Sequence, residues 1–332
     1  MNPKFSIIIP SFNSSKTIGE CLNAATKIDY KNYEVVVVDD ASQDNSVEII
    51  KRFPCKLIKL KKNLGAAEAR NIGAKVAKGN ILLFMDSDII IPKNSLKLAL
   101  DFFKKENVDV FFASFKSGIR FRNFFSNYKH LYLCYYYKKQ GKTLHTIDTS
   151  FTFIKKSIFD KFNGFDKKIR ISEDVDLGIR LTGKGYRICQ AKNIKMEHLK
   201  HYTFKKFIKS DLIRSERMSK IFLSSLSGKR KGKERSFYLR PINIYASIPL
   251  SSLFLLTAAL AMLFKEMILI LVSIVVLILF IIINLDFWWY LKKLKGPFFA
   301  LKAGFVTIID MWVMSLGVFA TFINFIIKRG NI

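Results

Sequence analysis

The chain has 332 residues, half of them hydrophobic, which is long enough for two domains and ample for a core. Its 55 Lys and Arg against 26 Asp and Glu leave a net charge of +29, which calls for an anionic partner: nucleic acid, anionic lipid or a phosphorylated substrate. The four cysteines, Cys21, Cys55, Cys134 and Cys189, are scattered, which excludes a close-spaced metal site and reads as reduced thiols facing the cytosol. No signal peptide is expected, because a strand-like run begins at Phe5.

Strand-like runs occur at 5–9, 34–38, 56–60, 81–85 and 108–113, with helical stretches near 14–27, 44–53, 65–78 and 94–105 between them. Ile7-Ile8-Ile9 and Val35-Val36-Val37-Val38 are apolar on both faces, as buried parallel strands are. The alternation predicts a doubly wound α/β domain with a mostly parallel sheet, in which ligands bind beyond the carboxyl ends of the strands. The polar residues after each strand are therefore the site candidates. They are Pro10-Ser11-Phe12-Asn13, then Asp39-Asp40-Ala41-Ser42 with Asp44, then Asn63-Leu64-Gly65 opening a helix that carries Arg70 and Asn71, then Asp86-Ser87-Asp88. Taken singly, Ser42 or Asp44 reads as a helix N-cap, Arg70 as a solvated helix face and Asp86/Asp88 as a polar turn. Together, Asp86 and Asp88 say more. Two carboxylates leave an apolar strand where no cation nearby in sequence neutralises them, and their repulsion is relieved by a bound divalent cation. A cation held by carboxylates commonly also holds phosphates, so a nucleoside diphosphate is the expected ligand.

Further along, Glu173-Asp174 and Asp176 open an amphipathic stretch at 175–182, where first-turn acids complement a helix dipole by default. His198 follows a strand-like run at 186–196, and a lone His reads as structural by default. Residues 119–138 mix Arg120, Arg122, Lys129 and Lys138 with many Phe and Tyr, and 203–222 repeat the style. Aromatic and basic residues together suit the headgroup level of an anionic membrane; helices packed on the catalytic core are the other reading. Most of the positive charge is explained by this surface, so nucleic acid is not an expected partner. From about 241 the chain turns apolar. Segments 241–264 and 267–290 are each long enough to cross a bilayer and are separated only by Lys265-Glu266. A third, 298–327, carries Lys302 and Asp310 and reads either as one tilted span or as an interfacial helix followed by a span from about 311. The basic run at 229–235 and Lys292-Lys293-Leu294-Lys295 should be cytoplasmic and Lys265-Glu266 outside; Lys328-Arg329 would lie outside if the third segment spans, against the positive-inside tendency. The expected domains are 1–202, catalytic; 203–240, basic and juxtamembrane; and 241–328, with two or three transmembrane helices.

The pattern 6–13 (SIIIPSFN), Val37-Val38-Asp39-Asp40-Ala41-Ser42, Asn63-Leu64-Gly65 with Ala69-Arg70-Asn71-Ile72-Gly73, Asp86-Ser87-Asp88, and Ser172-Glu173-Asp174-Val175-Asp176-Leu177 resembles the family 2 inverting glycosyltransferases of GT-A fold. The resemblance covers roughly 1–200 in the family's order and spacing. It implies that Pro10, Ser11, Phe12 and Asn13, with Asp39 or Asp40, border the nucleotide base and ribose. Asn63 and Gly65 belong to the same nucleotide-sugar site, and Arg70 sits near the base or the phosphates. Asp86 lies by the ribose and the metal, Ser87 belongs to the nucleotide-sugar site, and Asp88 ligates Mg²⁺ or Mn²⁺ on the diphosphate. His198 matches a position that sometimes adds a metal or phosphate contact. Asp174 is the general base that deprotonates an acceptor hydroxyl, with Glu173 and Asp176 orienting the acceptor or tuning it. The implied donor is a nucleotide-diphosphate sugar, by family frequency a UDP-sugar.

Tethering at a membrane suggests an acceptor there: a lipid-linked saccharide or glycolipid at the cytoplasmic face of the cell's inner membrane. A polyprenyl phosphate is an alternative acceptor, but its phosphate is already anionic and needs no base, so Glu173-Asp174 argues against it. A synthase secreting its own polymer and a catalytically inactive sugar-nucleotide binder are further readings. The sugar and the oligomeric state are not legible. The loop at 139–150 shows no pattern beyond Thr149 and Ser150, which could touch sugar hydroxyls.

Overall fold

A computed structural model describes residues 3–118, 120–140, 144–167, 169, 173–226 and 242–327. The basic run at 229–235, Lys328-Arg329, Ser172 and residues 141–143 of the 139–150 loop lie outside the described residues.

The chain runs β1 (Phe5–Ser11), α1 (Ile18–Ala25), β2 (Tyr33–Asp39), α2 (Ser46–Ile50), β3 (Lys56–Lys59), α3 (Ala66–Val76), β4 (Ile81–Met85), β5 (Ile89–Ile90), α4 (Ser95–Glu106) and β6 (Val110–Phe115). There follow α5 (Phe124–Lys139), β7 (Phe151–Lys155), α6 (Lys156–Lys161), α7 (Glu173–Thr182), β8 (Ile188–His198), α8 (Phe204–Leu226), α9 (Ile242–Phe264), α10 (Met267–Lys295) and α11 (Pro297–Ile327). By their contacts they form two compact units: Met1–Arg120 with Gly141–Lys200, and Phe121–Gln140 with His201–Ile332. The segment at 121–140, expected to belong with the catalytic region, thus groups with the apolar helices.

The first unit holds an eight-stranded sheet in the order β3-β2-β1-β4-β7-β6-β8-β5. Its half β3-β2-β1-β4 is parallel, as the doubly apolar runs at Ile7-Ile8-Ile9 and 35–38 require. The other half is mixed rather than parallel. β7 runs antiparallel to both β4 and β6, β8 is parallel to β6, and the two-residue β5 pairs antiparallel with the end of β8. A run of apolar residues locates a strand but carries no direction; direction follows from the edge at which the preceding connection delivers the chain. Helix α3 lies close on β1 and β2, and Gly73 makes that approach possible: a Cβ there would stand 2.5 Å from Ile8 Cγ2.

In the second unit α9, α10 and α11 are long and apolar enough to cross a membrane, with mean hydropathy of 2.0, 3.4 and 1.9. Helices α9 and α10 form a hairpin closed at Lys265, whose φ is +56°. Helix α10 buries Ser273, Val276, Phe280, Asn284, Phe287 and Leu291, one residue every three or four, and Asn284 donates to Ser247 Oγ at 2.7 Å. Tyr128, Leu131, Tyr132 and Tyr135 of α5 pack in the same core as Phe287 and Met311. The aromatic faces of this basic segment are therefore buried against apolar helices.

Candidate active site

The register Ser11↔Asp39 brings the ends of β1 and β2 side by side, and β4 ends beside them. Asn13 sits at φ +49°, a left-handed conformation that Asn tolerates. In that pose its N–H donates to Ser42 Oγ at 2.9 Å and its side-chain carbonyl accepts from Gln43 N–H at 2.8 Å, locking the two strand-end loops together. Ser11 and Ser14 share a hydroxyl bond beneath them. Phe12 stands 48% exposed on this edge, a flat apolar face open to a planar ligand.

The adjacent carboxylates Asp39 and Asp40 are both buried, and the fold separates their tasks. Both oxygens of Asp40 are used within the protein: they accept from Leu64 N–H at 2.7 Å and Gly65 N–H at 2.8 Å. Asn63 donates to the Asp40 carbonyl, and Gly65, at φ +90°, makes the turn that lets α3 begin there. Asp40, expected beside the nucleotide, thus has its carboxylate engaged in clasping this loop. Asp40→Ala is expected to cost about 2 kcal/mol in chemical unfolding, the order expected when donors lose a shared buried acceptor. Asp39 accepts only from Ser42 N–H through Oδ2; its Oδ1 is buried with no partner. A buried acceptor without a donor marks a place for a ligand group.

Arg70 was expected near the base or the phosphates. It is 4% exposed and held between two carboxylates, Nη2 to Asp86 Oδ1 at 2.7 Å and Nη1 to Glu173 Oε1 at 2.6 Å. The guanidinium fork suits this bridging, since its donors point in fixed directions. It ties the end of β4 to the start of α7. One strand-end further, Asp88 Oδ2 lies 3.3 Å from His198 Nε2, while Asp88 Oδ1 is buried and unpaired. β5 makes this contact, because Ile89↔His198 is its register with β8. Burial works against the charge on Asp88, but His198 and Lys200 hold its carboxyl below the ordinary range. Ser87, partly exposed, separates the two acids.

At the head of α7, Asp174 follows Glu173 and is partly exposed; its Oδ1 accepts from Val175 N–H at 2.8 Å. Desolvation, then the charges of Glu173 and Asp148, push its carboxyl up to about 8, with Arg70 opposing. That places its proton affinity where a general base for neutral pH is most effective.

Residues 6–162 match the model of glycosyl transferase family 2. This domain is a family 2 glycosyltransferase. The chain is 40% identical over 120 residues to the poly(ribitol-phosphate) β-N-acetylglucosaminyltransferase TarS of Staphylococcus aureus, covering 34% of this chain and 21% of TarS. It is 36% identical over 114 residues to the UDP-Glc:α-D-GlcNAc-diphosphoundecaprenol β-1,3-glucosyltransferase WfgD of Escherichia coli, covering 33% of this chain and 45% of WfgD. The match thus spans less than half the length of either relative. Among solved structures, the mannosyltransferase PcManGT of Pyrobaculum calidifontis shares the fold, with a TM-score of 0.59 at 18% identity over 95% of this chain and 88% of that one.

Two further acids stand out. Asp176, expected to orient an acceptor or tune Asp174, pairs with Arg180 at 2.8 Å; Arg180 in turn donates to the carbonyls of Phe162 and Gly164 and so pins the turn before α7. Asp148, in the loop before β7, escaped the sequence reading. Burial raises its carboxyl, and it lies within electrostatic reach of Asp86, Asp174 and His198. A single Asp between Ile147 and Thr149 reads as an ordinary turn residue, so no local signal could have found it.

The donor set fits a hard divalent cation. Asp88 keeps a buried oxygen free, Asp86 lies two residues away, and the surrounding acids favour positive charge. Among the described residues no group of three His, Cys, Asp or Glu closes around an ion. A cation here would complete its shell with diphosphate oxygens and water, as Mg²⁺ commonly does.

Proposed function

We propose that the enzyme transfers a sugar, with inversion, from a UDP-sugar to a hydroxyl of a lipid-linked saccharide or glycolipid at the cytoplasmic face of the cell's inner membrane. The observation that carries this reading is Asp174, a carboxyl with its proton affinity raised to about 8 at the head of α7, one residue from the Glu173–Arg70–Asp86 bridge. Asp174 takes the acceptor hydroxyl proton as the acceptor oxygen bonds to the anomeric carbon; the bond from that carbon to the phosphate oxygen breaks, and UDP leaves. Asp39 Oδ1 and the exposed ring of Phe12 receive the nucleoside, with Pro10, Ser11 and Asn13 shaping that edge. Arg70 acts as a positioning residue, holding Glu173 and Asp86 at the site. Asp88 would hold Mg²⁺ or Mn²⁺, with Asp86 and His198 beside it, and such an ion would supply Lewis acidity and charge neutralisation to a departing diphosphate.

The lipid-linked acceptor is supported by three apolar helices long enough to span a bilayer and by a relative, WfgD, whose name specifies a diphosphoundecaprenol-linked acceptor and a UDP-sugar donor. The reading is tested with purified full-length protein in detergent, by measuring UDP release from a panel of UDP-sugars with Mn²⁺ and membrane lipid extract. Asp88→Ala is expected to lower metal-stimulated release at least a hundredfold. An unchanged rate would remove the metal from the scheme. Donor binding without turnover on any extract would favour a sugar-nucleotide binder.

A further inference from the structure

The sequence left α11 open between a full span and an interfacial helix followed by a span. We infer that α11 lies along the membrane surface for its whole length, one face in the headgroup–acyl boundary, so that only α9 and α10 cross. This rests on the membrane part of the reading above and on none of its chemistry.

The first observation is what covers one face of α11. Helix α8 packs against it through small and polar residues. Thr321 Oγ1 donates to the Glu216 carbonyl, and a Cβ on Gly317 would stand 2.0 Å from Ser215 Oγ, so the helices meet closely there. Higher up, Lys129 of α5 pairs with Asp211 of α8 and lies 3.9 Å from Asp310 of α11, all three buried. Tyr128 completes the group by donating to Thr307 Oγ1 at 3.2 Å. These contacts run from 307 to 321, fourteen residues along α11, or about 21 Å at the helical rise. Helix α8 exposes Lys205, Lys206, Lys209, Arg217 and Lys220. A spanning α11 would carry this cationic helix into the hydrocarbon, where unpaired charges are costly and rare.

The second observation is the opposite face. Phe298, Phe305, Trp312, Phe319 and Ile326 fall seven residues apart, hence on one side of the helix, and all five are exposed. The stripe runs from end to end, while the buried side mixes Thr307, Asp310, Gly317 and Thr321 with Val306, Met311, Val313 and Met314. Helix α10 is exposed more widely: Ile270, Leu271 and Val272 are consecutive and all exposed, so they point in three directions around the helix, as a span surrounded by lipid requires. A helix apolar on one side and roofed by cations on the other has the partition of an interfacial helix. Lys292 and Lys293 over the Trp289 ring, and Lys302 over the Phe124 ring, add cations and aromatics at the α10–α11 junction, suited to anionic headgroups.

With two crossings, Lys328-Arg329 return to the side of Lys292, Lys293 and Lys295, and the positive-inside tendency is satisfied throughout. The test is topological. In sealed spheroplasts of a bacterial host, a protease-cleavable epitope inserted between Lys265 and Glu266 is expected to be cut by added protease, and one placed after Ile332 to be protected. Cutting of the second epitope overturns the inference. In parallel, nitroxide labels on Phe298→Cys, Phe305→Cys, Trp312→Cys, Phe319→Cys and Ile326→Cys, in a background free of the four native cysteines and reconstituted in vesicles of phosphatidylethanolamine and phosphatidylglycerol, report immersion depth. One common depth is expected; a maximum at residue 312 falling toward both ends overturns the inference. Neither readout depends on catalysis, so this reading and the transferase chemistry fail separately.

Discussion

Asp174→Asn is expected to leave UDP-sugar binding intact and to lower kcat for transfer to a hydroxyl by about 10²–10⁴, the usual contribution of a positioned general base. Asn keeps the size and the acceptor for Val175 N–H but cannot take a proton. The pH dependence carries the sharper test. A carboxyl raised to about 8 is protonated through the neutral range and becomes a base as pH rises, so kcat/KM of the parent should climb tenfold per pH step and level off above about 8. The climb disappears in the Asn variant. Stability moves the other way. The folded state holds an extra proton between about pH 4 and 8, so the Asp174 contribution falls as pH rises through that window. The variant should therefore melt at least as high as the parent at pH 9. Retention of full activity by Asp174→Asn on an added polyprenyl phosphate would sink the hydroxyl acceptor and favour a lipid phosphate.

The second large effect is on stability. Arg70→Ala leaves Glu173 and Asp86 without their shared buried cation. Breaking a buried pair by removing one partner costs about 3–5 kcal/mol. Arg70→Lys should recover only part of this, since one ammonium cannot reproduce a fork that reaches two carboxylates. Unfolding in urea, followed in detergent, measures both. The deficit of Arg70→Ala should shrink as pH falls toward about 4, because protonated carboxyls no longer repel. A deficit independent of pH would show that packing against Phe165, over which the guanidinium lies, carries the effect.

The parallel half of the sheet was legible because its strands are continuous apolar runs, a purely local signal. β5 is two residues long and has no such signal, yet its pairing with β8 brings His198 to Asp88. For Asp39 and Asp40 the sequence could only offer either as the ligand group. The loop before α3 engages both oxygens of Asp40 and leaves Asp39 Oδ1 open. Arg70 reads in isolation as a solvated helix position. The partner that changes this, Glu173, lies 103 residues away.

The sequence by itself determined the α/β class, the edge on which the polar strand ends gather and the apolar character of the C-terminal helices. Each of these follows from residue type and spacing within one element. Only the tertiary structure decided which carboxylate clasps a loop, which is bridged by Arg70, which retains an open oxygen and which has its proton affinity raised. Charge pairing and proton affinity depend on the burial and fields of neighbours that folding assembles from distant segments, and those are not properties of any single stretch of chain.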